Sequence, residues 1–440
     1  MIAALMRVRS LALVVALAAC GSDPPPVARS PVAIVPATPN RDVDILFDFE
    51  DSPGSLEFQN NLKNNFPAFL DALSPGGLPS LHIGVVTSDL GTSASMDATP
   101  GPSIGTGAGG CAGNGKNGNL QTNGTTLVSG SFISDIANAD GTRTTNYTGT
   151  LADAFTVIAS VGATGCGFEQ HLEAAKRALN NNPANAGFLR PSANLAVIVV
   201  ADEDDCSATH TSLFGSDTAT FGPLTSFRCT RFGVTCDDGG TTPDEMNTPG
   251  AKSGCHDSTS SPYMPPVSDY KTFFEGLKPD PHQVMVGTII ADPTAVSVIS
   301  EPPPGGGSPI PQLANACTFP DASGGTDAAN PGVRLNALAQ SMDRGVSASL
   351  CQQDLSGPLV AIARQINSMT GSPCLVRDIV QPADCVVTDD AGRVPACSPD
   401  RSTDCYLLVT DPVQCPMGQN LRLERQGTPH GATVVQCTVP

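Results

Sequence analysis

The chain has 440 residues and a formal net charge of −19, with 42 Asp and Glu against 23 Lys and Arg. A surface this acidic disfavours nucleic acid and anionic lipid as partners and suits divalent cations. Hydrophobic residues at 40% and charged residues at only 15% exclude a disordered chain and predict two or three domains with a sizeable core.

In chain order, Met1 to Ser10 carry Arg7 and Arg9, and Leu11 to Ala19 form an apolar stretch too short to span a bilayer as a lasting helix. Leu17-Ala18-Ala19-Cys20 has the form of a bacterial lipobox. The expectation is a lipoprotein signal peptide over 1–19, with Cys20 acylated after cleavage. The protein is then held on the cell envelope, at the periplasmic or outer-membrane surface. Residues 20–42 are Pro-rich and read as an extended tether. Setting Cys20 aside leaves 14 of the 15 Cys, an even number that an oxidising compartment is expected to pair. Eight fall in 111–351 and six in 371–440, which predicts pairing within each group.

Val43-Asp44-Ile45-Leu46-Phe47-Asp48-Phe49 is a short apolar run and predicts a buried strand. Glu50-Asp51-Ser52-Pro53-Gly54-Ser55 is turn chemistry. Leu56, Leu62, Phe66, Phe69, Leu70 and Leu73 then recur at helical spacing, with Pro67 expected to kink or restart the helix. Residues 81–88 predict a second buried strand, and 92–125 a long loop. Within that loop, residues 101–105, 105–110 and 110–117 match a nucleophile elbow, a dinucleotide fingerprint and nearly a phosphate loop. The first two lack the strand and helix that give such motifs their chemistry. The third has Asn117 where Ser or Thr would hold Mg²⁺. A weak strand is predicted near 125–133 and helices over 151–161 and 168–179, the latter with Glu173 and Arg177 at i,i+4. Residues 195–201 make the strongest strand and end in Asp202-Glu203-Asp204-Asp205.

Residues 206–266 read as a Cys-rich insertion without periodicity. A helix over 267–277, a strand over 284–291, a Pro/Gly loop over 292–330, a helix over 333–342, a strand over 346–350 and a helix over 355–369 follow. Strands rich in β-branched residues alternating with helices predict a doubly wound, mostly parallel α/β sheet over 43–370. Residues 371–440, with six Cys and short apolar runs at 406–409 and 433–435, predict a small disulfide-rich β module.

In open parallel sheets ligands bind at the carboxyl ends of the strands. Two such ends are acidic here, at Glu50-Asp51-Ser52 and at 202–205, and hard oxygen ligands suit Mg²⁺ or Ca²⁺. The stretch VDILFDFEDSPGS resembles the start of a von Willebrand factor type A domain. The first strand of such a domain ends in D-x-S-x-S, the metal-ion-dependent adhesion site, and lipoprotein-type bacterial members read VDILFVIDDSPSM. On that pattern Glu50 takes the first Asp position, Ser52 the first Ser and Gly54 the second Ser. Asp202 matches the distal metal-ligating Asp, and Thr164 is the nearest candidate for the Thr that precedes the family's next helix. The resemblance implies a metal set of Glu50, Ser52, Thr164 and Asp202. It also implies a protein or polymer partner whose carboxylate completes the cation's shell. Glu50 is one methylene longer than Asp and Gly54 has no hydroxyl, so weak binding of Ca²⁺ or Mg²⁺ is expected, with Ca²⁺ preferred.

The chain contains no C-x-x-C and no H-E-x-x-H, which argues against zinc and thiol-redox chemistry. His210 and His256 lie in the acidic insertion and could meet in space. Six His yield no motif that selects a Ser-His-Asp set. A binding protein rather than an enzyme is therefore expected. A metal-assisted extracytoplasmic hydrolase acting through the acids around Asp202, and a structural envelope protein with an inactive metal site, remain the alternatives.

Overall fold

A computed structural model describes residues 28–303, 306–320, 325–415 and 419–440. The signal peptide expected over 1–19 and the lipid attachment at Cys20 lie outside the described residues. Among those described, no helix is long and apolar enough to cross a membrane.

The main domain alternates strands and helices. These are β1 (Asp42–Phe49), α1 (Leu56–Leu73), β2 (Ser80–Thr87), β3 (Ile133–Ala137), β4 (Arg143–Thr145), α2 (Leu151–Ile158), α3 (His171–Leu179) and β5 (Asn194–Val200). After an insertion come α4 (Val267–Glu275), β6 (Val284–Ile290), α5 (Val333–Ser341), β7 (Val346–Ser349) and α6 (Ser356–Met369). Seven strands form one sheet in the order β7-β6-β5-β1-β2-β3-β4. The five strands from β7 to β2 are parallel, and β3 and β4 are antiparallel additions at one edge. The connection order reverses between β1 and β5, which is the switch point where such sheets open a crevice.

The period-2 alternation of β1 decides what each face holds. Val43, Ile45, Phe47 and Phe49 point to one face and pack with α1, α2 and α6. Phe66 and Phe155 stack there with centroids 3.6 Å apart, and Phe47 lies 5.0 Å from Phe155. Leu46 points to the other face, against α3, α4 and α5. Asp44 and Asp48 share that second face. Asp44 is held by Arg190, whose N–H and Nε each donate to it at 2.7 Å, with Lys278 at 3.8 Å. Pro67 does not restart α1, which runs unbroken through it. Burial of Phe66, Phe69 and Leu73 on the same helix outweighs the lost backbone bond.

Three further expectations are corrected. Ser30–Val35, within the stretch read as a tether, is a strand antiparallel to Thr433–Cys437. It completes a four-stranded sheet with Val386–Asp389 and Gly392–Val394. Its sequence, SPVAIV, carries Val32 and Ala33 into a small core with Val387 and Val435, and Pro31 sits within the strand, opposite Gln436 and beside a register irregularity, instead of extending a tether. The stretch 292–330 is not a plain loop. It contains an antiparallel pair, Ser297–Glu301 with Ile310–Leu313, and a second, Cys317–Pro320 with Thr326–Ala329. The weak strand expected at 125–133 begins only at Ile133.

Fourteen cysteines form seven disulfides. Cys111–Cys166, Cys206–Cys229, Cys236–Cys255 and Cys317–Cys351 lie in the main domain. Cys374–Cys415, Cys385–Cys437 and Cys397–Cys405 lie beyond it. None crosses between the two groups, and their number points to an oxidising compartment.

Candidate metal centre at the switch point

The turn after β1 is held in place by its own backbone. Glu50 N–H donates to Val200 O at 3.3 Å, continuing the pairing of β1 with β5. Gln59, on the first turns of α1, reaches back with Nε2 to Glu50 O at 3.0 Å and to Gly162 O at 2.8 Å. The Glu50 carboxylate is thereby aimed across the switch point, where its Oε2 accepts from Asp202 N–H at 3.1 Å. The Ser52 hydroxyl donates to the other oxygen, Oε1.

Glu50, Glu169 and Asp202 form the cluster. One carboxylate oxygen from each lies within 4.8 Å of the other two. Glu50 and Glu169 are buried and Asp202 is half-buried. Burial, then repulsion from Glu169, pushes the Glu50 carboxyl up to about 8. Burial, then Glu203, pushes Glu169 to about 8 as well. Burial and Glu50 hold Asp202 well above the usual carboxylate range. Among the described residues no Lys or Arg pairs with any of the three. The nearest positive group is His171, whose Nε2 lies 3.7 Å from Glu169 and whose Nδ1 lies 3.3 Å from Asp48. Burial alone would depress this imidazole, but the two carboxylates beside it push its pKa well above the usual value.

The four consecutive acids after β5 divide by role. Asp204 accepts from the N–H groups of Arg334 and Leu335, capping the N-terminus of α5. Asp205 accepts from Leu172 N–H at 2.9 Å near the start of α3 and pairs with the buried Arg334 at 3.2 Å. Those two hold helices. Asp202 and Glu203 remain at the switch point, and Glu203 lines a polar cleft of about 120 Å³ with Ser226, Thr230 and Asn330.

The sequence reading placed Glu50, Ser52, Thr164 and Asp202 in the site. The structure brings the first two and Asp202 together. Thr164 is exposed, and its loop meets the β1 turn through the neighbouring Gly165, whose N–H donates to Asp51 O at 2.6 Å. A Cβ on Gly165 would fall 2.3 Å from Asp51 Oδ1, so only glycine allows this approach. Gly54 has φ +114°, and a Cβ there would lie 3.8 Å from Asp202 Oδ2. That position faces the cluster, but its backbone disfavours the serine that the family pattern carries.

Glu169 and Lys116 were missed. The spacing over 168–179 places Glu169 in the following helix, which begins only at His171. Its signal was an acid in the loop before a helix. Lys116, in the rejected phosphate-loop match, forms an ion pair with the buried Asp51 at 2.6 Å, so Asp51 is no spare ligand. His210 and His256 each have their own acidic neighbour, Asp97 at 3.0 Å and Asp237 at 3.8 Å.

The site is enclosed by the segments inserted around it. Cys111–Cys166 fastens the 92–125 loop to the segment before α3, where Gly109 N–H donates to Gly165 O at 3.1 Å. On the other side Cys206 N–H donates to Glu169 O at 2.7 Å, and Cys206 is bonded to Cys229.

No family model matches the chain, and no curated protein does. Matching solved structures include the conserved hypothetical protein BatB from Bacteroides thetaiotaomicron, at 10% identity. The match covers 74% of this chain and 98% of that one, with a TM-score of 0.29. The adhesive tip pilin GBS104 from Group B Streptococcus agalactiae also matches at 10% identity, over 93% of this chain and 81% of that one, with a TM-score of 0.27. At those TM-scores neither likeness carries an argument about fold or function.

Proposed function

We propose that this is an extracytoplasmic binding protein of von Willebrand factor type A-like fold, not an enzyme. In this reading Glu50, Glu169 and Asp202, with the Ser52 hydroxyl beside them, hold a divalent cation. The supporting observation is the convergence of three carboxylates within 4.8 Å at the crevice between β1 and β5, with no Lys or Arg described among them. Burying that much negative charge is costly, and a cation would relieve it. The donors are hard oxygens, which suits Ca²⁺ or Mg²⁺. The longer Glu side chains and the enclosing loops give an irregular shell, which Ca²⁺ accepts and octahedral Mg²⁺ does not. A bound cation would fix the turns after β1 and β5 and the entry to α3. A protein or surface-polymer partner then meets the rim, reaching the cation through the cleft at Glu203, with Thr164 exposed in the neighbouring loop. A lipid at Cys20 would hold the assembly on the envelope, consistent with seven disulfides.

Calorimetry on residues 28–440 tests this reading. Ca²⁺ is expected to bind with a dissociation constant nearer millimolar than micromolar, as in extracellular modules. Mg²⁺ should bind more weakly, and both should be lost in Asp202→Ala and Glu169→Gln. Mg²⁺ binding the tighter, or Ca²⁺ binding unchanged in Asp202→Ala, refutes the site.

A further inference from the structure

The 92–125 loop meets the turn after β1 through one side chain, Lys116. Its Nζ lies 2.6 Å from Asp51 Oδ2, and its other contact is with Val161 O at 3.4 Å. Asp51 is fully buried. Both of its carboxyl oxygens are closed to water, and among the described residues neither has an aligned hydrogen-bond donor. The ammonium therefore touches the carboxylate without the alignment that makes a buried ion pair favourable. Two charges taken out of water recover their solvation only when the geometry is good and the remaining lone pairs are satisfied.

The contact is also held from both sides. Lys116 N–H donates to Asp89 O at 2.8 Å, and Gly165 N–H donates to Asp51 O at 2.6 Å. The preceding Gly115 has φ +51°, and a Cβ there would fall 2.2 Å from Asp89 Oδ1, so only glycine lets the loop turn tightly enough to deliver Lys116. The Cys111–Cys166 disulfide fastens the two loops around the pair. Groups fixed in this way react as one molecule, with effective molarities of about 10⁵–10⁸ M. A carboxyl closed to solvent is also shielded from the water that would reverse a condensation.

We infer that Lys116 and Asp51 are joined by an isopeptide bond that the chain forms by itself. One proton passes from Nζ to Oδ2, which turns ammonium and carboxylate into amine and acid. The Nζ lone pair attacks Cγ. The tetrahedral centre then expels its hydroxyl, which leaves as water with a second Nζ proton. The Nζ–Cγ bond forms, a Cγ–O bond breaks, nothing is oxidised or reduced, and both buried charges disappear. The bond uses none of Glu50, Glu169 and Asp202, so it is independent of the cation reading.

Peptide mapping of the purified full chain, reduced and alkylated before trypsin, tests the inference. Without the bond, trypsin releases residues 42–63, which contain Asp51, and cuts after Lys116 to give 64–116 and 117–143. With it, most molecules should yield 42–63 joined to 64–143, uncut at Lys116 and lighter than the two peptides by one water. Fragmentation should place the bridge between Lys116 and Asp51. Lys116→Arg keeps the positive charge but has no amine to condense. It should release 42–63 unlinked and at full mass, while showing no free thiol, which marks an intact fold. Recovery of 42–63 and 64–116 as separate peptides from most parent molecules would overturn the inference. So would loss of water from 42–63 alone, the mark of ring closure at Asp51, or a linked 42–63 peptide persisting in Lys116→Arg.

Discussion

Glu50 and Glu169 show how far burial moves a carboxyl, and the shift has a testable sign. Each is pushed from an ordinary value of 4.5 to about 8. A carboxyl whose folded pKa is raised binds its proton more tightly in the folded chain. The associated stability is full below about 4.5 and is lost as pH rises through 8. With chelator present, the melting temperature should therefore fall between pH 5 and pH 8.5. Ca²⁺ should restore more stability at pH 8.5 than at pH 5, because cation and proton compete for the same oxygens. Thermal melts with and without Ca²⁺ at the two pH values decide this, and a Ca²⁺ shift independent of pH would place the ion elsewhere. Glu50, Ser52 and Asp202 were legible because each directly follows a strand whose apolar run is plain in the sequence. Glu169 was not, because nothing local separates it from the helix two residues on. Only the folding of α3 against β1 and β2 turns it inward.

Among elements, α1 was legible down to its last turn, and Pro67 was the one misleading residue. It is exposed, and its ring costs the helix one backbone bond. Pro67→Ala should restore that bond and stabilise the chain by about 1–3 kcal/mol, read from urea unfolding. No gain would mean that the helix has already relaxed around the proline. The strand Ser30–Val35 was illegible for the opposite reason. Its partner strand lies some four hundred residues away, and four apolar residues between Pro31 and Pro36 give no local signal of a sheet. The Cys385–Cys437 bridge ties that partner strand to the loop beside Val386–Asp389. Replacing both cysteines with Ser should cost on the order of 2–5 kcal/mol. The loss should be seen as earlier hydrogen exchange at residues 433–437 while β1 and β5 stay protected. Uniform loss of protection across the chain would show one cooperative unit instead of two.

At the scale of the whole molecule, the alternation of apolar runs predicted the parallel sheet, because strands buried on both faces need continuous hydrophobic sequence. The insertions were opaque because their order comes from disulfides and side-chain caps, which have no period. Arg228, for example, is fully buried in the 206–266 insertion and donates to the carbonyls of Leu213, Gly215, Gly222 and Pro223, and no spacing rule marks it. Thiol titration of unreduced, denatured residues 28–440 should find no free cysteine. Two or more free thiols would break the pairing described above.

The pairing of Ser30–Val35 with Thr433–Cys437 also decides how the molecule carries tension. Any pull arriving through the residues before 28 meets this strand first. From there Ile34 O, which accepts from Arg344 at 2.6 Å and from Ser368 at 3.2 Å, passes the load to α6 and the segment before β7. A force applied at the carboxyl ends of the main sheet would be resisted at the far side of the protein by one short ladder of backbone bonds. That ladder is the weak link, and it should rupture before the parallel sheet does.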